Sequence, residues 1–194
     1  MKGRLPLMDN FEVYGEAEGE RILREFIEAY QAVSPRVIAQ AFLQRYMETA
    51  QSCGYVGAQG ILYAALARAS GRSGDRERCA FAFNDLGLFL ERAADLRCLA
   101  CFRMALRLTK NRGRRIRTLI RLGKAHAQLR ADRLSAMRCI GAAILEGWAQ
   151  GEGSAEAVRA EACLIQLVQG GFPPHSPEAA VAAAARKLDL KGLV

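Results

Sequence analysis

Apolar residues along the chain recur at helical spacing, and no stretch sustains the strict alternation that marks a strand. Ile22, Leu23, Phe26, Ile27 and Tyr30 share one side of a helix predicted over about 19–33. It ends at Ser34-Pro35, where Ser caps and Pro opens the next helix. That second helix carries Val37, Ile38, Ala41, Phe42 and Tyr46 and runs to the neighbourhood of Cys53-Gly54. A third spans about 56–70, stopped by Gly71-Arg-Ser-Gly74, and Asp75 caps a fourth over about 76–92. The same reading places further helices at about 95–110, 114–130, 132–149 and 155–169. A short alanine-rich helix starts at Ser176-Pro177-Glu178 and ends near Leu188.

Helix starts recur every 16 to 22 residues or so, which makes a two-helix unit of about 36 to 40. Short links force each helix antiparallel to the one before it. A single hairpin cannot bury its apolar face, so successive hairpins must stack. The fold class is therefore all-α, with about eight or nine helices in antiparallel hairpins.

Two segments superimpose. Asn84-Asp-Leu86-Gly87 precedes Cys98-Leu-Ala100-Cys-Phe102-Arg-Met-Ala105-Leu106, and Ile120-Arg-Leu122-Gly123 precedes Ser135-Ala136-Met-Arg-Cys139-Ile140-Gly-Ala142-Ala143-Ile144. The Leu-Gly pairs lie 36 residues apart and the later Ala-Leu and Ala-Ile pairs 38 apart. This pattern resembles the tetratricopeptide repeat, in which Leu-Gly sits in the first helix of a hairpin and a small residue, an aromatic and an Ala follow on the second. The family's Trp and closing Pro positions are not met. The resemblance implies a right-handed superhelix of repeats over 55–170, preceded by a flexible acidic leader (1–17) and an N-terminal helical hairpin (18–54). It implies a linker and a C-terminal capping helix over 171–194. An ordinary helical bundle with chance Leu-Gly pairs is the alternative.

Composition narrows the class. The 194 residues are 51% apolar and 25% charged with only 5 prolines, enough to bury a core and unlike a disordered chain. The apolar run after Lys2 and Arg4 stops at Asp9, too short for a signal-peptide core, and no run of about 18 uncharged apolar residues occurs. A soluble, cytoplasmic protein is expected. The six cysteines, Cys53, Cys79, Cys98, Cys101, Cys139 and Cys163, fall mostly at core positions of the helical pattern and read as small buried hydrophobes without bridges.

Charge is concentrated. Of 28 basic and 20 acidic residues, residues 101–150 hold 12 basic and only 2 acidic. Seven cations and no anion lie from Lys110 to Lys124: Lys110, Arg112, Arg114, Arg115, Arg117, Arg121 and Lys124. On a helical wheel Arg114, Arg117, Arg121, Lys124 and Gln128 form one stripe, with Ile116, Leu119, Ile120, Leu122, Gly123, Ala127 and Leu129 opposite. Like charges at these spacings weaken a helix by a few tenths of a kcal/mol per pair, so the stripe points to an acidic partner or to a solvated face.

By the resemblance, this is the first helix of a hairpin, and Arg117, Arg121 and Lys124 face or border the concave groove. Some tetratricopeptide-repeat proteins hold a peptide's terminal carboxylate there with basic residues. Here the preceding repeat offers Asn84 and Asp85 instead, which favours an acidic internal segment of another protein. The expected site is Lys110, Arg114, Arg117, Arg121, Lys124 and Gln128, in an adaptor, chaperone or complex subunit that binds protein and no membrane. The competing ligand is a nucleic-acid backbone. No aromatic residue lies between Phe102 and Trp148 to stack on bases, which leaves duplex or structured RNA.

Catalytic chemistry is sparse. His126 falls in the apolar arc of its helix, and His175 sits in a proline-rich loop and should be exposed. Cys98 and Cys101 form a Cys-x-x-Cys without a second pair, so a zinc site with His126 and Cys139 is a remote alternative. No phosphate-binding loop, His-Glu-x-x-His or nucleophile elbow occurs. The expectation is a non-enzymatic protein with no catalytic residues, metal or cofactor.

Overall fold

A computed structural model of the chain describes residues 20, 21, 23–25, 27, 28, 36–52, 54–149 and 154–194. All regular structure among them is helical. Eight complete helices follow: α1 (Arg36–Ser52), α2 (Val56–Ser73), α3 (Arg76–Arg92), α4 (Arg97–Leu108), α5 (Arg112–Arg130), α6 (Arg133–Trp148), α7 (Ala155–Gln169) and α8 (Ala179–Arg186). The described residues between 20 and 28 are also helical, and Leu23 and Ile27 are buried. The expected leader over 1–17 lies outside the described residues, as do Cys53 and the side chains of Val37, Ile38, Ala41 and Phe42.

Side-chain caps set the helix starts. Asp75, Asn111, Asp132 and Ser154 each accept a hydrogen bond from the main-chain N–H three residues on, opening α3, α5, α6 and α7. Boundaries of α2, α4, α5 and α8 differ from the sequence reading, α8 starting at Ala179 rather than at Ser176-Pro177-Glu178 and ending at Arg186 rather than near Leu188. α2 runs through Gly71 and stops at Gly74, which takes the left-handed conformation (φ 77°) that ends a helix cleanly. α5 starts two residues early because Asn111, not the stretch after Gly113, supplies the cap. α4 begins at Arg97, after Asp95 has accepted the Arg97 N–H, and ends at Leu108.

Consecutive helices from α1 to α7 pack on one another, giving the stacked hairpins α1–α2, α3–α4 and α5–α6, with α7 laid on both α5 and α6. Close approach within the second and third hairpins rests on equivalent glycines. A Cβ on Gly87 would stand 2.6 Å from the Phe102 ring, and one on Gly123 2.8 Å from Ile140. Phe102, Ile140, Ala105 and Ala143 are fully buried. The 36-residue offset in sequence thus corresponds to one packing contact made twice.

The buried side chains form two clusters, one shared by Leu23 and Ile27, α1–α4, Leu122 and Ala125 of α5, and α8, the other by α5–α7. After α7 the chain leaves through Gly170-Gly171, and α8 lands on α2 and α3. There it buries Val181, Ala184, Ala185, Leu188 and Leu190. Among the described residues no helix is long and apolar enough to cross a membrane.

Candidate functional site

The stripe expected on α5 exists, and its opposite side carries the buried Ile116, Leu119, Ile120, Leu122 and Gly123. Its cations, however, meet groups of the same chain. Arg114 donates to the Glu77 carboxylate at 2.6 Å and to the Glu77 carbonyl, and its guanidinium covers the Phe81 ring at 5.5 Å. Lys110 enters through its main chain, its N–H donating to Glu77 at 2.6 Å, and its side chain is exposed. Arg117 lies 3.4 Å from Glu156 of α7 and keeps 47% of its side chain exposed. Arg121 donates to the Asn84 amide oxygen at 3.0 Å. Lys124 sits over Phe172 at 5.4 Å, and Gln128 donates to the Pro173 carbonyl at 2.9 Å.

The electrostatics follow from this enclosure. Main-chain and hydroxyl donors from Lys110 and Thr109, with Arg114 beyond them, hold the Glu77 carboxyl below its usual range. Burial pushes Asp85 up to about 6, despite the Asn84 amide and the nearby Arg121 and Arg114. Burial also raises Glu91 against Arg121, and it lowers Arg121. The mutual repulsion of the α5 cations is therefore offset by Glu77, Asp85 and Glu91 on α3 and by Glu156 on α7. A wheel of α3 would have shown Glu77, Phe81, Asp85, Leu88 and Glu91 at steps of three and four. That acidic row is the signal the charge-block reading passed over.

The segment after α7 lies along the same side of α5 and α3. Phe172 and Pro173 contact Lys124 and Gln128, and Glu178 makes a two-pronged pair with Arg92 at 2.7 and 2.9 Å. The Glu178 N–H donates to the Arg92 carbonyl. His175, expected to be exposed, is half-buried in this turn near Glu91 and Glu178.

Other members of the basic block are spent elsewhere or stay exposed. Arg115 grips Glu146 and caps the Leu106 carbonyl, tying α6 to α4. Arg112 and Arg133 donate to the main-chain carbonyls of Ala149 and Val168. Arg103, Arg107 and Arg138 are exposed on α4 and α6.

Cys98 and Cys101 are fully buried, and burial pushes both thiols up to about 12. The five described cysteines are free thiols. His126 is buried, its Nδ1 3.5 Å from Asp132 and its Nε2 3.4 Å from Arg103, and burial with Arg103 lowers its pKa. Among the described residues no three His, Cys, Asp or Glu side chains are grouped to hold a metal ion. No known protein family, curated protein or solved structure matches the chain.

Proposed function

We propose that the protein is a non-enzymatic, cytoplasmic interaction module, an adaptor, chaperone or complex subunit whose stacked hairpins resemble tetratricopeptide repeats. Its ligand is an acidic, extended segment of another protein, held along α5 and α3. One observation supports this reading: an extended segment of the same chain, ending on a single acid, Glu178, already lies against α5 and α3. Residues 172–178 lie against Lys124 and Gln128 and end on an acidic side chain gripped by Arg92. The contacts are to a ring face, a main-chain carbonyl and a carboxylate, which a segment of another protein also offers. Arg117 and Lys124 are the stripe cations from which it would gain most. Arg117 is half-exposed and carries only a 3.4 Å pair, and Lys124 has a ring for a partner.

Fluorescence anisotropy on the full chain tests the ligand class. The probes are a labelled twelve-residue Glu-rich peptide, its Gln-substituted twin, and generic duplex RNA and DNA at two salt concentrations. The Glu peptide should bind at least tenfold tighter than the Gln twin and tighter than either duplex. Tighter duplex binding with a steep salt slope would replace this reading by nucleic-acid backbone binding.

A further inference from the structure

Seven of the ten exposed large hydrophobic side chains among the described residues belong to α6 and α7. On α6 they are Leu134, Met137, Leu145 and Trp148, 41–66% exposed and, with Gly141 between, spaced by three and four along one side. On α7 Val158 and Ile165 are 55% and 56% exposed, on the side turned away from the buried Ala160, Cys163 and Leu167. Two hydrogen bonds tie these sides into one surface: Trp148 Nε1 donates to Glu161 at 2.7 Å, and Arg133 donates to the Val168 carbonyl at 2.7 Å.

The α7 part of this surface is where the stack would continue. Each of α2 to α6 is packed on both sides by its neighbours in sequence, whereas the chain beyond α7 turns away to place α8 on α2 and α3. A repeat array that ends without a polar cap exposes a face shaped for a helix. Exposed large apolar side chains gathered on adjoining helices and rimmed by polar groups are a mark of an interaction site.

The charge around the surface specifies the occupant. Lys110, Arg112 and Leu145 line a cleft of about 530 Å³ between the start of α5 and α6, and Arg138 is exposed one turn beyond Leu134. The neighbouring acids are engaged, Glu146 by Arg115 at 2.7 Å and Glu161 by Trp148. Among the described residues no carboxylate lies within ion-pair distance of Lys110, Arg112 or Arg138. A second copy docking through the same face would bring like charges together. We infer that the outer face of α6 and α7 docks an amphipathic helix of a partner protein, with an apolar stripe against Leu145, Trp148 and Ile165 and carboxylates flanking it toward Lys110, Arg112 and Arg138. Against α7 the helix takes the place of the next helix in the stack, and against α6 it covers the side that neither α5 nor α7 packs. This surface lies apart from the α3–α5 groove and does not depend on the function proposed for that groove.

The test uses the full chain and two labelled sixteen-residue amphipathic helical peptides with the same leucine stripe, one flanked by Glu and the other by Lys. The Glu-flanked peptide should bind at least tenfold tighter than its Lys twin. Leu145→Glu and Ile165→Glu should each weaken it at least tenfold, with unchanged circular dichroism because both side chains are exposed. Arg117→Glu/Lys124→Glu, in the other groove, should leave it within twofold. Equal affinity for the two peptides, or no loss in the face variants, overturns the inference. So does a dimer in sedimentation that Leu145→Glu dissociates, which would make the occupant a second copy.

Discussion

At the scale of single residues, close contacts and buried charge set the stability of the stack. Gly87→Ala places a methyl within 2.6 Å of the Phe102 ring. It should lower unfolding stability by about 1–3 kcal/mol in chemical denaturation. Gly141→Ala, in the interior of α6 with nothing near its added Cβ, should raise stability by about 0.5–1 kcal/mol. Equal effects at the two glycines would remove the packing argument. Asp85 makes a pH prediction. Its native value of about 6 exceeds the ordinary 3.8, so the folded state binds the proton more tightly than the unfolded one. Its contribution is favourable on the acid side and is lost as pH rises through about 6. Asp85→Asn should therefore stabilise the protein at pH 7.5, by roughly 1–2 kcal/mol, and the gain should shrink as pH falls toward 4. His126 acts in the opposite direction. Its lowered native pKa means that stability is lost as pH drops below the unfolded value of about 6.5. Thermal melts of the Asp85→Asn protein should show that acid-side loss more plainly than wild type does.

At the scale of elements, the helices were legible because their starts carry their own signals. Asp75 and Ser154 each follow a clear break and cap α3 and α7, so both spans were readable to the residue. α2 and α5 were less so, because α2 runs on through Gly71, which read as a break, and α5 takes its cap from Asn111, ahead of Gly113. The destination of α8 had no local signal. Its eight residues include six alanines, and only long-range partners fix it on α2 and α3. Arg97 reaches from α4 to donate to the Ala185 and Leu188 carbonyls, while also pairing with Asp95 at 2.7 Å. Arg97→Ala leaves those carbonyls without their donor and should cost about 1–3 kcal/mol. Amide exchange should accelerate across 179–190. Glu178→Ala removes only a surface pair with Arg92 and should change stability by less than about 1 kcal/mol. If the two variants lose the same stability, Arg97 is not what anchors α8.

At the scale of the whole molecule, the charge total of +8 is the sum of compensated and uncompensated groups. The wheel of α5 located the stripe, but not its counter-charges. Those sit on α3, some 30 to 37 residues earlier in the chain, and on α7, 39 residues later for the Arg117–Glu156 pair. Such partners become neighbours only when hairpins stack, which explains why charge counted in blocks along the chain overstated the free cation on the groove side. The same stacking leaves Lys110, Arg112 and Arg138 beside an apolar surface that no helix wheel of α5 could show. On the groove side the accessible cations are Arg117 and Lys124, so the binding reading depends on these two. The most direct measurement is the affinity of the Glu-rich peptide for the Arg117→Glu/Lys124→Glu protein. A loss of at least tenfold, about 1.4 kcal/mol, with an unchanged melting temperature is expected; affinity within twofold of wild type would contradict the account.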